Sequence, residues 1–355
     1  MNIKSPAPTV SVIILNWNAA PWTPRCLESL REQTIFSQME IIFADNASTD
    51  DSEKVTREFM MDLPNGHFVQ NGGNFGYGGG CNRGVAVAQG KYLFFLNPDV
   101  WLESNCLEEL VKYADETKSK ITCPIVMDYD THNVQTQGEA GFDFFGCLIS
   151  PGVGEKLDQP FTVATFFFIE QEFFQRIGWF DEIFFLYVEE MDLSWRAWIA
   201  GESIKLVRTA RMHHATSGST DQKGRTSEAR RFYANRNQIL TILKNARGPL
   251  LLLALNHIAL ITVEAMIGAL LARKPSFIRW SLFEPLADCW RLRGYILSQR
   301  RFIRGFRQRG DWWIARRFFR FGFGHWMDIK RFLKSGVVID KSTIKVKDRQ
   351  SSAPQ

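Results

Sequence analysis

The sequence predicts an α/β chain: a mostly parallel sheet flanked by helices, followed by a helical, strongly basic C-terminal region. Three observations carry this. Apolar runs that suit strands buried on both faces alternate with helical stretches over the first hundred residues. Polar clusters at Asn16–Asn18, Asp45–Asn46 and Asn97–Asp99 fall just after three of those strands, where ligands of open α/β sheets sit. The formal charge of +5 is also unevenly divided. From residue 273 onward there are 20 Lys and Arg against 6 Asp and Glu, whereas the preceding 272 residues hold 23 against 32.

The elements follow in order. Val10–Leu15 (VSVIIL) is a continuous β-branched run and reads as a buried strand. Pro24–Thr34 reads as a helix with Cys26, Leu27 and Leu30 on one face. Glu40–Ala44 is a second strand, and Asp51–Met61 a helix with acidic residues where the helix dipole favours them. His67–Gln70 is a short strand. A glycine-rich loop, Asn71–Gly80, then runs into a helix over Cys81–Gln89, and Lys91–Leu96 is a strand stopped by Asn97-Pro98-Asp99. Periodicity weakens from Ile121 to Gln159. Phe161–Ile169 is strand-like, Glu172–Ile177 a short helix, and Phe184–Gly201 a helix closed by glycine. Ile204–Val207 is a short strand with His213 and His214 in the loop after it. Arg230–Ala246 is a long helix.

With 45% hydrophobic and 23% charged residues in 355, a disordered tail, a collagen-like fibre and a disulfide miniprotein are excluded. Six scattered cysteines without a CxxC pair form neither a zinc motif nor a disulfide framework, so a reducing compartment is expected. Met1–Thr9 is polar and lacks the apolar core of a signal peptide.

The order of motifs resembles the family 2 glycosyltransferases of GT-A fold, and among them the bacterial rhamnosyltransferases of surface-polysaccharide synthesis. The pieces are VSVIILNWN (10–18), DNASTD (45–50), NGGNFGYGGGCN (71–82), LNPDV (96–100), GWFDEIFFLYVEEMDLSWR (178–196), His214–Ser219 and YANRN (233–237). The resemblance implies a GT-A domain over residues 1–245 and an inverting sugar transfer from a nucleotide-diphosphate donor, dTDP-rhamnose, to a hydroxyl of a lipid-linked saccharide. It implies a divalent cation, Mg2+ or Mn2+. Asp99 stands at the family's D-x-D position as a metal ligand, with Asn97 departing from the acidic pair. His214 stands where a histidine meets metal or diphosphate, with His213 as its alternative. Glu190 is the implied base that takes the acceptor proton, with Glu189 and Asp192 as alternatives. Asn16, Asn18, Asp45, Asn46, Asn74, Gly76, Asn82, Asn97 and Arg236 would contact the nucleotide-sugar. Each piece also has a plainer reading: an Asn-Pro-Asp turn, a solvated acidic helix face, a capping asparagine, an arginine on a helix surface.

In the C-terminal region, 246–355, Leu250–Ala272 is apolar over 23 positions apart from Asn256, His257, Thr262 and Glu264. That length suits a membrane span. Asn256, His257 and Glu264 are seven or eight apart and share one helical face, which fits better a helix packed on another or lying in the interface. Beyond it, five Trp and nine Phe are interleaved with most of the chain's arginines. Such a segment suits an anionic membrane surface, and the adjoining apolar stretch decides against nucleic acid as partner. The expected location is the cytoplasmic face of the cell membrane. The competing reading is a non-catalytic, membrane-bound binding or scaffold subunit of the same shape.

Overall fold

A computed structural model describes residues 7–63, 65–152, 155–163, 165–215, 225–322 and 338–340. The chain divides into two compact units, each made of several segments. Unit 1 comprises 1–139, 151–182 and 202–217; unit 2 comprises 140–150, 183–201 and 218–355.

Unit 1 is built on a nine-stranded sheet in the order β3-β2-β1-β4-β8-β6-β9-β5, with β7 on β6. The strands are β1 Val10–Asn16, β2 Met39–Asp45, β3 Gly66–Gln70, β4 Tyr92–Leu96, β5 Val100–Leu102, β6 Ile121–Asp128, β7 Val134–Thr136, β8 Phe167–Glu170 and β9 Ile204–His214. Six of them run one way; β5, β7 and β8 run against their neighbours. The expected α/β class with a mostly parallel sheet therefore holds. The helices of this unit are α1 Thr23–Arg31, α2 Ser52–Met60, α3 Gly76–Val85, α4 Cys106–Thr117 and α5 Gln171–Arg176. β1 is central. Val10, Val12, Ile13 and Ile14 are fully enclosed, as a strand covered on both faces by helices requires. Its register sets the site: Asn16 lies opposite Asp45, and Ile14 opposite Leu96. The ends of β1, β2 and β4 thus release their polar residues along one edge of the sheet.

Four expectations need correction. The glycine-rich stretch is not a loop through Gly80, because α3 already begins at Gly76. Its glycines serve close packing. A Cβ on Gly78 would stand 2.8 Å from Phe180 Cβ, and one on Gly84 2.8 Å from Ile13 Cγ2. Phe161–Ile169 is a strand only from Phe167; before it Thr162 makes an isolated bridge to Glu139, and Phe161, Val163 and Phe166 are apolar because they are buried, which alternation cannot distinguish from a strand. β9 continues past Val207 to His214, so His213 and His214 lie on a strand. An irregular register between Val207 and Arg211 breaks the period-two pattern that would have revealed it. The helix expected over 184–201 starts only at Glu189. In this unit β5, α4, β6 and β7 carry no expectation from the sequence.

Unit 2 is helical: α6 Glu189–Ile199, α7 Glu228–Asn245, α8 Leu252–Ala272, α9 Glu284–Arg291, α10 Arg293–Phe306 and α11 Asp311–Phe318. Ser227 caps α7 by accepting from Arg230 N at 3.1 Å. α6 is buried almost throughout; Trp195 stacks on Phe142 with ring centroids 5.9 Å apart, and Trp198 packs on Phe318 at 4.6 Å. α7 runs through the unit, with Ile239, Leu240 and Ile242 enclosed. α8 buries one face: the Phe277 ring occupies the space beside Gly268, and Glu264 pairs with Arg231 of α7 at 3.4 Å.

Because Phe180 Cβ is fixed to its backbone, Gly78→Ala cannot be absorbed by a rotamer change. Overpacking of this kind costs about 1–3 kcal/mol. Thermal unfolding of the variant should show a lowered Tm, and an unchanged one would mean that α3 and the 180 segment are not packed as described.

Candidate functional site

At the ends of β1 and β2, one carboxylate organises the backbone. Asp45 is wholly enclosed. It accepts from Asn16 Nδ2 at 2.7 Å, Ser48 N at 2.9 Å, Ser48 Oγ at 2.5 Å and Gln70 Nε2 at 3.0 Å. A buried carboxylate persists only when satisfied in this way. The Ser48 hydroxyl in turn accepts from Asn18 N at 2.9 Å, and Asn18 Oδ1 accepts from Thr49 N at 2.7 Å. Asn18 and Ala47 take left-handed backbone angles, φ 54° and 57°, so both loops are held in bends that most residues disfavour.

A second network links β2 to the start of α3. Asn46 Nδ2 donates to Gly76 O at 3.0 Å and Asn74 Oδ1 at 3.4 Å, while Asn71 Nδ2 donates to Asn46 Oδ1 at 2.8 Å. Further along α3, Asn82 clasps the 180 segment. Its Nδ2 donates to Phe180 O at 2.9 Å and its Oδ1 accepts from Phe180 N at 3.2 Å.

The third polar cluster, between β4 and β5, meets the far end of β9. Ala215 N donates to Asp99 O at 2.9 Å, and His214 Nε2 lies 3.4 Å from Asp99 Oδ2. His214 Nδ1 is 2.8 Å from Gln135 Oε1. With that nitrogen protonated, Nε2 turns a lone pair toward the carboxylate, an arrangement that suits a cation between them. His213, one residue earlier on the strand, points to the opposite face. It stacks on Trp101 at 5.8 Å and lies 3.4 Å from Glu103 Oε1. Asn97 is half-buried at the end of β4.

In unit 2, the acidic stretch begins on a bent loop. Phe185, Tyr187 and Val188 have φ of 63°, 70° and 75°. Each such non-glycine residue costs of order 1–3 kcal/mol and persists only when its surroundings over-determine it. The determinants are Asn237 and Arg236 of α7. Asn237 Nδ2 donates to Phe184 O at 2.9 Å and to Leu186 O and Tyr187 O at 2.8 Å each. Arg236 Nη2 donates to Ile183 O at 2.5 Å and Phe184 O at 3.0 Å, and Nη1 to Asp288 at 3.1 Å. Glu189, directly after this loop, is 4% exposed, and its Oε1 has no hydrogen-bond partner among the described residues. Burial, and then the neighbouring Glu190 charge, hold its carboxyl well above the ordinary value. Glu190 beside it is half-buried.

Residues 11–184 match the profile of Glycosyl transferase family 2. The match takes in β1 to β8 and α1 to α5. The minor teichoic acid biosynthesis protein GgaB of Bacillus subtilis is 31% identical over 122 residues, covering 34% of this chain and 14% of its own. Matches to curated relatives span 14–58% of their length, less than two thirds. Among solved structures, GalNAc-T7 with UDP, GalNAc and Mn2+ superposes with a TM-score of 0.56 at 19% identity, over 68% of this chain and 48% of that one. S. aureus TarS 1-349 with UDP gives 0.52 at 15% identity, over 84% and 89%. At these identities the likeness is one of fold, and the fold is GT-A-like.

The structure gathers Asn16, Asn18 and Asp45 in one network, Asn46, Asn74 and Gly76 in a second, and Asp99 with His214 in a third cluster; all but His214 lie in the stretch that matches the family profile. Asn16 and Asp45 are fully enclosed and shape the loops; Asn18 is the exposed member. Asn82 is committed to the 180 segment. Two residues of unit 2 differ from expectation. Arg236 is no surface phosphate ligand, because its guanidinium is spent on the 183–184 carbonyls, Asn237 and Asp288. Asp192 is no base, since it is 1% exposed between Arg196 Nε at 2.9 Å, Lys244 Nζ at 3.1 Å and Asn245 Nδ2 at 2.8 Å. Burial pushes Asp192 up, but Lys244, Arg196 and Asn245 outweigh it and hold its carboxyl below the ordinary value. Sequence reasoning missed Gln70, Gln135 and Asn237. Gln70 had a usable signal, a polar residue closing a strand; Asn237 lay unremarked inside the YANRN motif.

The raised Glu189 carboxyl has a signed consequence. Its protonated form is favoured by folding, so its stabilising effect is complete below the unfolded value of 4.5 and is lost as pH rises through the folded one. Glu189→Gln should therefore raise Tm near neutral pH, with the gain shrinking toward zero as pH falls to about 4. Thermal unfolding across that range checks this, and a pH-independent difference would contradict it.

Proposed function

We propose that the chain is an inverting glycosyltransferase of cell-surface polysaccharide synthesis. It moves a sugar from a nucleotide-diphosphate donor, dTDP-rhamnose being the first to try, to a hydroxyl of a lipid-linked saccharide at the cytoplasmic face of the cell membrane. Residues 1–245 would perform the transfer, and 246–355 would associate with an anionic membrane surface. The observation that carries the reading is the Asp99–His214 pair at the edge of a sheet whose strands also end in the Asn16–Asp45–Asn18 network, with Asp99 and that network in the stretch that matches the family 2 profile. Exposed Asn18 and the bent backbone around it are the groups offered to a nucleoside, and the start of α3 is offered to the donor's polar groups. Solved structures of similar fold hold UDP, and one holds Mn2+.

A divalent cation fits the residues present. Among the described residues no three or more of His, Cys, Asp and Glu gather into an all-protein cage. A Mg2+ or Mn2+ ion at a sugar nucleotide needs none, because one or two side chains, phosphate oxygens and water complete its shell. Asp99 and His214 would hold it, and it would supply positive charge to the departing diphosphate. Glu190, half-buried beside a Glu189 that resists ionisation, takes the proton from the acceptor hydroxyl. The freed oxygen attacks the anomeric carbon from the side opposite the diphosphate, whose bond to that carbon breaks with the electron pair leaving on phosphate oxygen. Configuration inverts.

Glu190→Gln should lower kcat by about a hundredfold or more while leaving donor affinity intact; retained turnover would move the base elsewhere. Asp99→Ala should abolish the dependence of donor affinity on Mg2+ or Mn2+ in calorimetry. Donor binding that still responds to a chelator would remove Asp99 from the ion's shell.

A further inference from the structure

We propose that α8 lies in the plane of an anionic membrane surface, with one face sunk into it, and does not cross the bilayer. This narrows the membrane part of the reading above and does not depend on the transfer chemistry. By length and hydropathy, Gly248–Ala272 could span a membrane. Its burial pattern says otherwise. Leu253, His257, Ile261, Ala265 and Gly268 form a face covered by the rest of unit 2 along the whole helix. Beside that face, Glu264 is tied to Arg231, with both side chains less than 15% exposed. Threading α8 through a bilayer would strip this cover and draw an ion pair toward hydrocarbon, where charges are costly. The opposite face is apolar and open. Leu252, Leu255, Val263, Met266 and Leu270 recur at helical spacing, with Leu270 78% exposed. Over 21 residues the stripe is about 30 Å long, far more than scattered surface leucines require.

Charge identifies what covers it. Between residues 247 and 322 there are four acidic side chains: Glu264, Glu284, Asp288 and Asp311. Each is paired with an arginine and at most 15% exposed. The exposed charges in this stretch are basic, among them Arg273 and Lys274 at the end of α8, then Arg279, Arg293, Arg304 and Arg317. Large aromatics stand open among them: Trp290 is 70% and Trp312 71% exposed, and the Arg293 guanidinium lies 5.0 Å from the Trp290 ring. A second copy of this chain would bring the same cations and repel. A nucleic acid would satisfy the cations and leave the stripe wet. A leaflet of anionic lipids satisfies both, with arginine at the headgroups, indole at the interface and the stripe among acyl chains.

The test uses the full chain and preformed vesicles of phosphatidylcholine, with or without phosphatidylglycerol. Co-sedimentation should show binding to the mixed vesicles that weakens with salt. It should fall by at least about tenfold in the doubly substituted Met266→Glu, Leu270→Glu variant, whose Tm should match the unsubstituted chain because both positions face outward. All six native cysteines are buried, so Arg247→Cys and Arg273→Cys, both exposed and outside the stripe, report the two ends of the Gly248–Ala272 segment. A membrane-impermeant maleimide added outside the vesicles should label both. Labelling at one end alone would establish a span and overturn the proposal. Undiminished binding of the double variant, concentration-dependent dimers without vesicle binding, or RNA binding in place of vesicles would each overturn it as well. Transfer to a soluble acceptor is measured separately; its absence alongside intact vesicle binding would count against the transfer reading and leave the docking mode standing.

Discussion

The in-register parallel pairing of β1 with β2 and β4 is the constraint on which the rest depends. Because both partners run alongside β1 without a slip, their last residues arrive together at one edge. A strand end that close to the core cannot leave a carboxylate unanswered, and Asp45 collects the donors of three different segments there. The bends at Asn18 and Ala47 are consequences of meeting those bonds. A one-residue slip of β1 would turn its enclosed side chains to the other face and separate Asn16 from Asp45 at the same time. Packing and chemistry are therefore specified by the same register.

In unit 2 a comparable task falls to two side chains of α7. The three left-handed residues before Glu189 are a costly stretch of backbone, and Asn237 alone holds three of its carbonyls. The loop delivers the chain into α6 so that Glu189 is enclosed and Glu190 is not. Burial and the neighbouring charge hold the Glu189 carboxyl above its ordinary value, while Glu190 keeps contact with solvent. α6 itself is anchored by Asp192 between Lys244 and Arg196. Losing either partner of such a buried pair would cost about 3–5 kcal/mol. The acidic stretch thus contains one member that holds the helix, one that is enclosed and one that meets solvent.

The legible parts of the sequence were those where a single physical period dominates. VSVIIL and EIIFA are continuous apolar runs and became β1 and β2 almost to the residue. The polar clusters after them were legible as a sheet edge. What stayed hidden depended on partners remote in the chain. His214 looked like a loop residue because an irregularity in β9 interrupts its alternation. NGGNFGYGGG looked like a flexible loop because glycine usually marks one; its reason lies in Phe180 and Ile13, which no local window contains. Arg236 looked free because nothing in YANRN says that the carbonyls of 183–184 will stand beside it.

The glycine content of α3 also bears on when the domain can form. Five of its ten residues are glycine, each about 1 kcal/mol poorer in helix propensity than alanine, so the segment has almost no helical tendency of its own. It becomes a helix only where it can be pressed against β1 and closed by Phe180, some hundred residues further along. A nascent chain that has released only its first three strands therefore has the sheet edge without its lid. Completion of this sheet edge must wait until the 180 segment emerges, which makes this part of the fold a late and cooperative event in synthesis.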